Sequence, residues 1–250
     1  MKPQAIRTAR RLVQILALGL FIYLLLAPQR KLAGLFFQLD PLAGLAAMLS
    51  GRAFVAGLSL AGITLLAALI FGRVWCGWIC PMGTVLDLFK PRRAKTRSTF
   101  HPPSERLRWV KYILLIFLAA AALFGNLTFI FLDPITLLTR SLAGSIWPAL
   151  RSAVYSAESF LYQFNFLWGA LDWAHQAVVY PIFNDVQPVF SLSVPLFLFF
   201  AAIVVLNWQA ERFWCRYLCP LGGLLGLVSR FAFLRREVSE GCSGCGACQR

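Results

Sequence analysis

Four apolar stretches, at residues 11–27, 53–72, 110–132 and 192–209, dominate this chain. Each approaches the roughly 20 residues that a helix needs to cross a hydrocarbon core of about 30 Å. Such a stretch must either be wrapped by protein or face lipid, and composition decides which. Hydrophobic residues make up 59% of the 250 and charged residues 14%. Soluble domains are about 45–50% apolar and about 25% charged, so too little polar surface exists here to coat the outside. The expected fold class is an all-α membrane protein with four transmembrane helices. The first stretch is short, and Arg10 and Arg11 can snorkel to help anchor it.

The basic residues set the orientation. The formal net charge is +14, a value that suggests nucleic-acid binding until placement is considered. Lys and Arg fall in short runs beside the apolar stretches, densest between Lys90 and Lys111, and no basic stripe interleaved with aromatics is present. By the positive-inside rule this asymmetry places both termini and all seven cysteines in the cytoplasm, with lipid rather than nucleic acid as the partner. The opening MKPQAIRTARR and its apolar run end without a small-x-small cleavage site and read as a retained anchor. Residues 160–183 are apolar and aromatic but contain Gln163, Asn165, Asp172, His175 and Gln176. A central Asp costs about 2.5–3.5 kcal/mol on insertion, so an interfacial helix on the outer leaflet is expected. His175 then lies at the interface, with quinol proton acceptance as its sharper alternative role.

The chain repeats itself. GRVWCGWICPMGTVLDLF (72–89) matches ERFWCRYLCPLGGLLGLV (211–228) in the frame R-x-W-C-x3-C-P-x-G, with Arg73 aligned to Arg212. Upstream of each stand QLDPLAGLA (38–46) and FLDPITLLT (131–139), so the order Asp-Pro, spanning helix, Cys-x3-Cys-Pro occurs twice. The four helices are thus two duplicated pairs, and duplicated halves tend to place function where the copies meet. Asp40 and Asp133 precede Pro at the outer helix ends, where N-capping or a turn accounts for them.

Seven cysteines at tight spacings point to metal or redox use rather than a disulfide framework. Cys242, Cys245 and Cys248 form a Cys-x2-Cys-x2-Cys run set among Gly, Ser and Ala, the spacing of a [4Fe–4S] ferredoxin site, with zinc as the rival ion. The sequence ends before a fourth cysteine, so a further ligand is expected beyond residue 250 or from elsewhere. Cys76 and Cys80, and likewise Cys215 and Cys219, stand four apart. If helical, each pair shares one face and the following Pro ends or kinks the helix. Brought together by the duplication, they supply four sulfurs for redox or metal chemistry; the bland alternative is packing. Arg73 and Arg212 read as positive-inside anchors that can also tune the thiols electrostatically.

These motifs together resemble the NapH-type membrane ferredoxins and the C-terminal half of NosR-type regulators, that is, membrane polyferredoxins. The resemblance rests on 72–89, 211–228 and 242–248. It implies a bacterial inner-membrane iron–sulfur protein relaying electrons between the quinol pool and a respiratory reductase or other redox partner. At least one [4Fe–4S] cluster is implied, and two in a complete chain. The expected organisation is a four-helix membrane domain, 1–230, followed by the start of a cytoplasmic ferredoxin-like tail, 231–250. The alternative function is a membrane assembly factor that uses thiols or metal to insert a cofactor elsewhere.

Overall fold

The computed structural model describes residues 3–26, 34–54, 59–89, 107–164, 168–180 and 193–234. Its longer helices are α1 (Pro3–Leu26), α2 (Pro41–Gly51), α3 (Ser59–Phe71), α4 (Pro81–Leu88) and α5 (Leu107–Leu123). They continue with α6 (Pro134–Ser141), α7 (Trp147–Leu161), α8 (Trp168–Ala174), α9 (Ser193–Leu206) and α10 (Pro220–Val228). No strand occurs among the described residues, as an all-α class requires. One of these, α1, is long and apolar enough by itself to cross a membrane, over Thr8–Leu25. The stretches at 53–72 and 192–209 yield helices of 13 and 14 residues. Outward faces are apolar: Leu16 on α1 is 70% exposed and Ile116 on α5 is 69% exposed. A helix meeting water would turn polar residues there.

Two compact units are present: residues 1–138 with 202–250, and residues 139–201. The first carries the duplication. Within it α1 packs on α4, and α5 on α10, while α2 against α5 and α10 against α3 join the halves. The repeat is therefore longer than the sequence frame suggests, because α1 and α5 are themselves equivalent. Thr84 donates to the carbonyl of Gln14 on α1, at 3.5 Å. Its counterpart Gly223 sits where a Cβ would lie 3.2 Å from the carbonyl of Lys111 on α5. Met82 and Leu86 on α4, and their counterparts Leu221 and Leu225 on α10, are all fully buried.

Both Asp-Pro sites start helices. Asp40 caps α2 by accepting from the backbone N–H of Leu42 at 2.9 Å. Asp133 caps α6 by accepting from Ile135 and Thr136, both at 3.0 Å. Pro follows at the first helical position, where its missing N–H is no loss. The capping role expected of them holds, but both carboxyls are completely buried rather than lying at free helix ends. The Thr64 hydroxyl, in the body of α3, donates to the Leu39 carbonyl at 2.6 Å and fixes the first site beside that helix.

The second unit contains the segment 160–183. It is not one helix: α7 ends at Leu161 and the chain resumes as α8 and a π-turn at His175–Val179. Three polar contacts form within the unit. His175 Nδ1 lies 3.1 Å from Glu158 Oε2, the Tyr162 hydroxyl donates to Asp172 at 2.7 Å, and Trp168 Nε1 donates to the Tyr162 carbonyl at 2.9 Å.

Candidate metal centre

Each cysteine pair is built by the same local geometry. The backbone widens into a π-turn, in which Cys80 N–H reaches back to Trp75 O at 3.0 Å and Cys219 N–H to Trp214 O at 2.8 Å. Such single π-turns recur at functional sites. The next residue is barred from helical geometry because Pro follows it, and Cys80 (φ −60, ψ 117) and Cys219 (φ −67, ψ 116) are extended. Pro81 and Pro220 then open α4 and α10. The proline was expected to end a helix; it begins one, and the second cysteine of each pair becomes an N-cap. Cys219 Sγ accepts from the Gly222 N–H at 3.3 Å in that role.

The glycine of the frame has a reason too. A Cβ on Gly83 would stand 2.9 Å from the Cys76 carbonyl oxygen, and one on Gly222 2.9 Å from that of Cys215. Both clashes are with backbone. Gly83→Ala and Gly222→Ala should each destabilise the protein by about 1–3 kcal/mol through overpacking, read as a lowered thermal midpoint in detergent. Gly62→Ala on α3, where a Cβ meets nothing within 4 Å, is the control and should be neutral. Equal midpoints for all three would show that the cysteine turns are not tightly held.

The two pairs share one neighbourhood. Arg212, three residues before Cys215, donates from Nη1 to the Cys76 carbonyl at 3.1 Å. Its Nε donates to Asp87 Oδ1 at 2.8 Å, and its Nη2 also bonds Asp87. Burial alone would raise Asp87, but the Arg212 hydrogen bonds and charge hold it below the usual carboxylate range. Gln14 and Arg10 of α1 complete the cluster, at 3.1 and 3.7 Å from Asp87. Arg73 occupies the mirrored place. Its guanidinium lies over Gly226, the residue equivalent to Asp87, 2.9 Å from where a Cβ would stand. So each arginine crosses to the opposite copy, and only the first copy offers an acid there.

Burial pushes the Cys76 thiol up to about 12, with the neighbouring Cys215 adding to it. Burial likewise pushes Cys215 up to about 11. Cys80 and Cys219 are raised for the same reason and by the charge of the neighbouring cysteines. Arg212 and Arg73 pull Cys76 the other way, as electrostatic tuning requires, but burial wins. Thiols so placed stay protonated and make poor nucleophiles; a bound metal would displace those protons.

The donor set fits an iron–sulfur cluster by count and kind: two cysteines from each half, a backbone N–H on one sulfur, and cationic residues close by. Among the described residues no three His, Cys, Asp or Glu side chains are set to hold a single metal ion. Cys242, Cys245 and Cys248 lie outside the described residues. Lys111, the last residue of the basic run read from the sequence, is buried at 5% exposure, with its Nζ 5.0 Å from the Tyr112 ring centre.

Comparison with known proteins falls on the same residues. The 4Fe-4S binding domain family matches residues 53–98 and 192–239. Those segments hold Cys76, Cys80, Cys215 and Cys219, and not the C-terminal cysteine run. The chain is 28% identical to the methylamine utilization ferredoxin-type protein MauN of Methylorubrum extorquens, over 96% of this chain and 71% of that protein. It is 28% identical to the ferredoxin-type protein NapH of Escherichia coli, over 76% of this chain and 50% of that protein. The protein NirI of Paracoccus denitrificans is 27% identical over 69% of this chain and 20% of its own length. The chain thus spans half or less of the length of two of these three relatives. No solved structure matches it. The resemblance to NapH-type proteins and the [4Fe–4S] class of cofactor, both drawn from the motifs, are borne out.

Proposed function

We propose that this chain, with a 4Fe-4S binding domain match in each half, is a membrane-bound electron carrier between the quinol pool and a respiratory reductase or other redox partner. Cys76, Cys80, Cys215 and Cys219 would hold a cluster between the two halves, and the run Cys242, Cys245 and Cys248 would serve a second. Four spans with both termini in the cytoplasm would set both sites on the inner face. The observation that carries this reading is the pairing of two locally identical cysteine turns, tied across the repeat by Arg212. A [4Fe–4S] cluster supplies one-electron redox chemistry when bound. The residues around it do the rest. Burial keeps water from the sulfurs of Cys80 and Cys219, the N–H of Gly222 and the cations Arg212 and Lys111 favour negative charge there, and the Arg212–Asp87 bond fixes the halves in register. A thiol-based assembly role is less supported, because thiols kept protonated by burial react poorly.

The test is anaerobic purification in detergent. The expected result is iron and labile sulfide in equal amount, at about four of each per cluster, and an optical spectrum bleached by a quinol analogue under reducing poise. Zinc without labile sulfide would overturn the cofactor assignment, and a cluster that quinol analogues never reduce would overturn the quinol link. A reporter fused after residue 150 should read outside; a cytoplasmic signal there would overturn the topology.

A further inference from the structure

The two Asp-Pro sites are fully buried, and their carboxyls meet. Asp40 uses Oδ1 to cap α2 and Asp133 uses Oδ2 to cap α6. The remaining oxygens, Asp40 Oδ2 and Asp133 Oδ1, are buried and accept no hydrogen bond from a protein donor, and the two carboxyls lie close enough to act directly on each other. Two orphaned carboxylate oxygens can satisfy each other only with a proton between them, and two like charges side by side away from water cannot both persist. Among the described residues neither carboxyl has a cation within ion-pair distance. The helices α3 and α10, which pack against α2, carry no charged residue, and α5 has Arg108 and Lys111 only in its first turns. The hydroxyls of Thr64 and Thr136 are uncharged neighbours. The titratable groups within electrostatic reach are Cys76, which feels Asp40, and Cys219, which feels Asp133.

We propose that Asp40 and Asp133 form a proton-sharing carboxyl pair at the junction of the two halves, holding one proton between them and taking a second when negative charge arrives at the cysteine centre. The coupling rests on the cluster reading above; the shared proton does not. The charge balance is simple. With one proton the pair carries one negative charge. One electron added at the centre raises the proton affinity of the pair, and uptake of one proton from water leaves it neutral. Re-oxidation releases that proton.

Infrared spectroscopy of protein prepared without iron tests the shared proton alone. The expected result is a C=O band of a buried carboxylic acid at neutral pH that shifts in D2O. Asp40→Asn should remove it, because Asn can still cap α2 and can itself donate to Asp133. Asp133→Asn should do the same and serves as the second variant. The wild-type band and its isotope shift need no variant at all. Absence of the band, or its appearance only after sodium and potassium are removed, would overturn the proposal in favour of two ionised carboxylates around a cation. In loaded protein the midpoint potential should fall with pH over some window in the wild type, by up to about 59 mV per pH unit for one proton per electron. It should be flat across that window in Asp40→Asn. A wild-type potential independent of pH, with the infrared band present, would refute the coupling and leave the shared proton standing. Loss of iron in every preparation would count against the cluster reading, not against the pair.

Discussion

Serine in place of Cys80 is expected to cost the protein about four irons per chain, the complement of one cluster, while leaving its insertion in the membrane unchanged. Cys80 is only 4% exposed and caps α4, and Cys219 at 3% holds the same place on α10. Ser is itself a favoured N-cap residue, so the helix start survives. It does not replace a soft thiolate as an iron ligand. Cys76→Ser and Cys215→Ser should behave alike, since each first cysteine sits in the π-turn and not at the cap. The effect should appear as lost iron, lost labile sulfide and a lost paramagnetic signal in the reduced protein. A full complement of iron in all four variants would return these cysteines to a packing role and shift the chemistry to the C-terminal run.

Removing Arg212 is the second large effect. Arg212→Leu takes away two bonds to Asp87, one to the Cys76 carbonyl, and the guanidinium packed against Gly83. It leaves Asp87 half-buried with Gln14 and a distant Arg10. Breaking one side of such a pair costs about 3–5 kcal/mol, and the remaining partners place this case near the lower end. Arg212 also has φ 53, a left-handed conformation unfavourable for a side-chain-bearing residue. Its backbone N–H is held by Asn207 Oδ1 at 2.7 Å, and Asn207 in turn donates to the Leu86 carbonyl at 2.7 Å. Arg212→Lys should not rescue, because a single ammonium cannot make the paired bonds. Arg73→Leu, at the exposed and acid-free equivalent position, should change the thermal midpoint little. The double variant Arg212→Leu with Asp87→Leu should recover much of the loss, since neither charge is then left alone. Equal melting of Arg212→Leu and Arg73→Leu would show that the crossing arginine does not hold the halves.

The frame R-x-W-C-x3-C-P-x-G was legible in the sequence, and so was the alignment of Arg73 with Arg212. The helical content and the capping by Asp40 and Asp133 were legible for the same reason: caps and prolines act locally. The shape of the cysteine turn was not read correctly, although the signal was present. A four-residue spacing suggests an α-turn, but Cys-Pro forces the second cysteine out of helical geometry, and the π-turn absorbs the change. The pairing of Arg212 with Asp87 spans 125 residues and no periodicity encodes it. The meeting of Asp40 with Asp133 was hidden for a different reason. Pattern reading places acids near cations, and it takes the fold to show two acids meeting in an apolar setting. The burial of Lys111 was not legible from its place in a basic run, because only the fold shows which face of the helix Leu107–Leu123 turns inward.

The last described residues bear on the geometry of the whole chain. Phe233 and Leu234 donate their backbone N–H groups to Leu69 and Ile70, at 3.1 and 3.2 Å, satisfying carbonyls that the end of α3 leaves open. The strand of chain that leads to Cys242 is therefore moored to the first half, although it emerges from the second. From that mooring eight residues remain to Cys242, a leash of at most about 28 Å. Any cofactor held at Cys242 would have to lie within that reach of the end of α3, one residue before Gly72 and five before Cys76. Lengthening the leash by a flexible insertion after Leu234 would leave every ligand in place and change only the span an electron must cross.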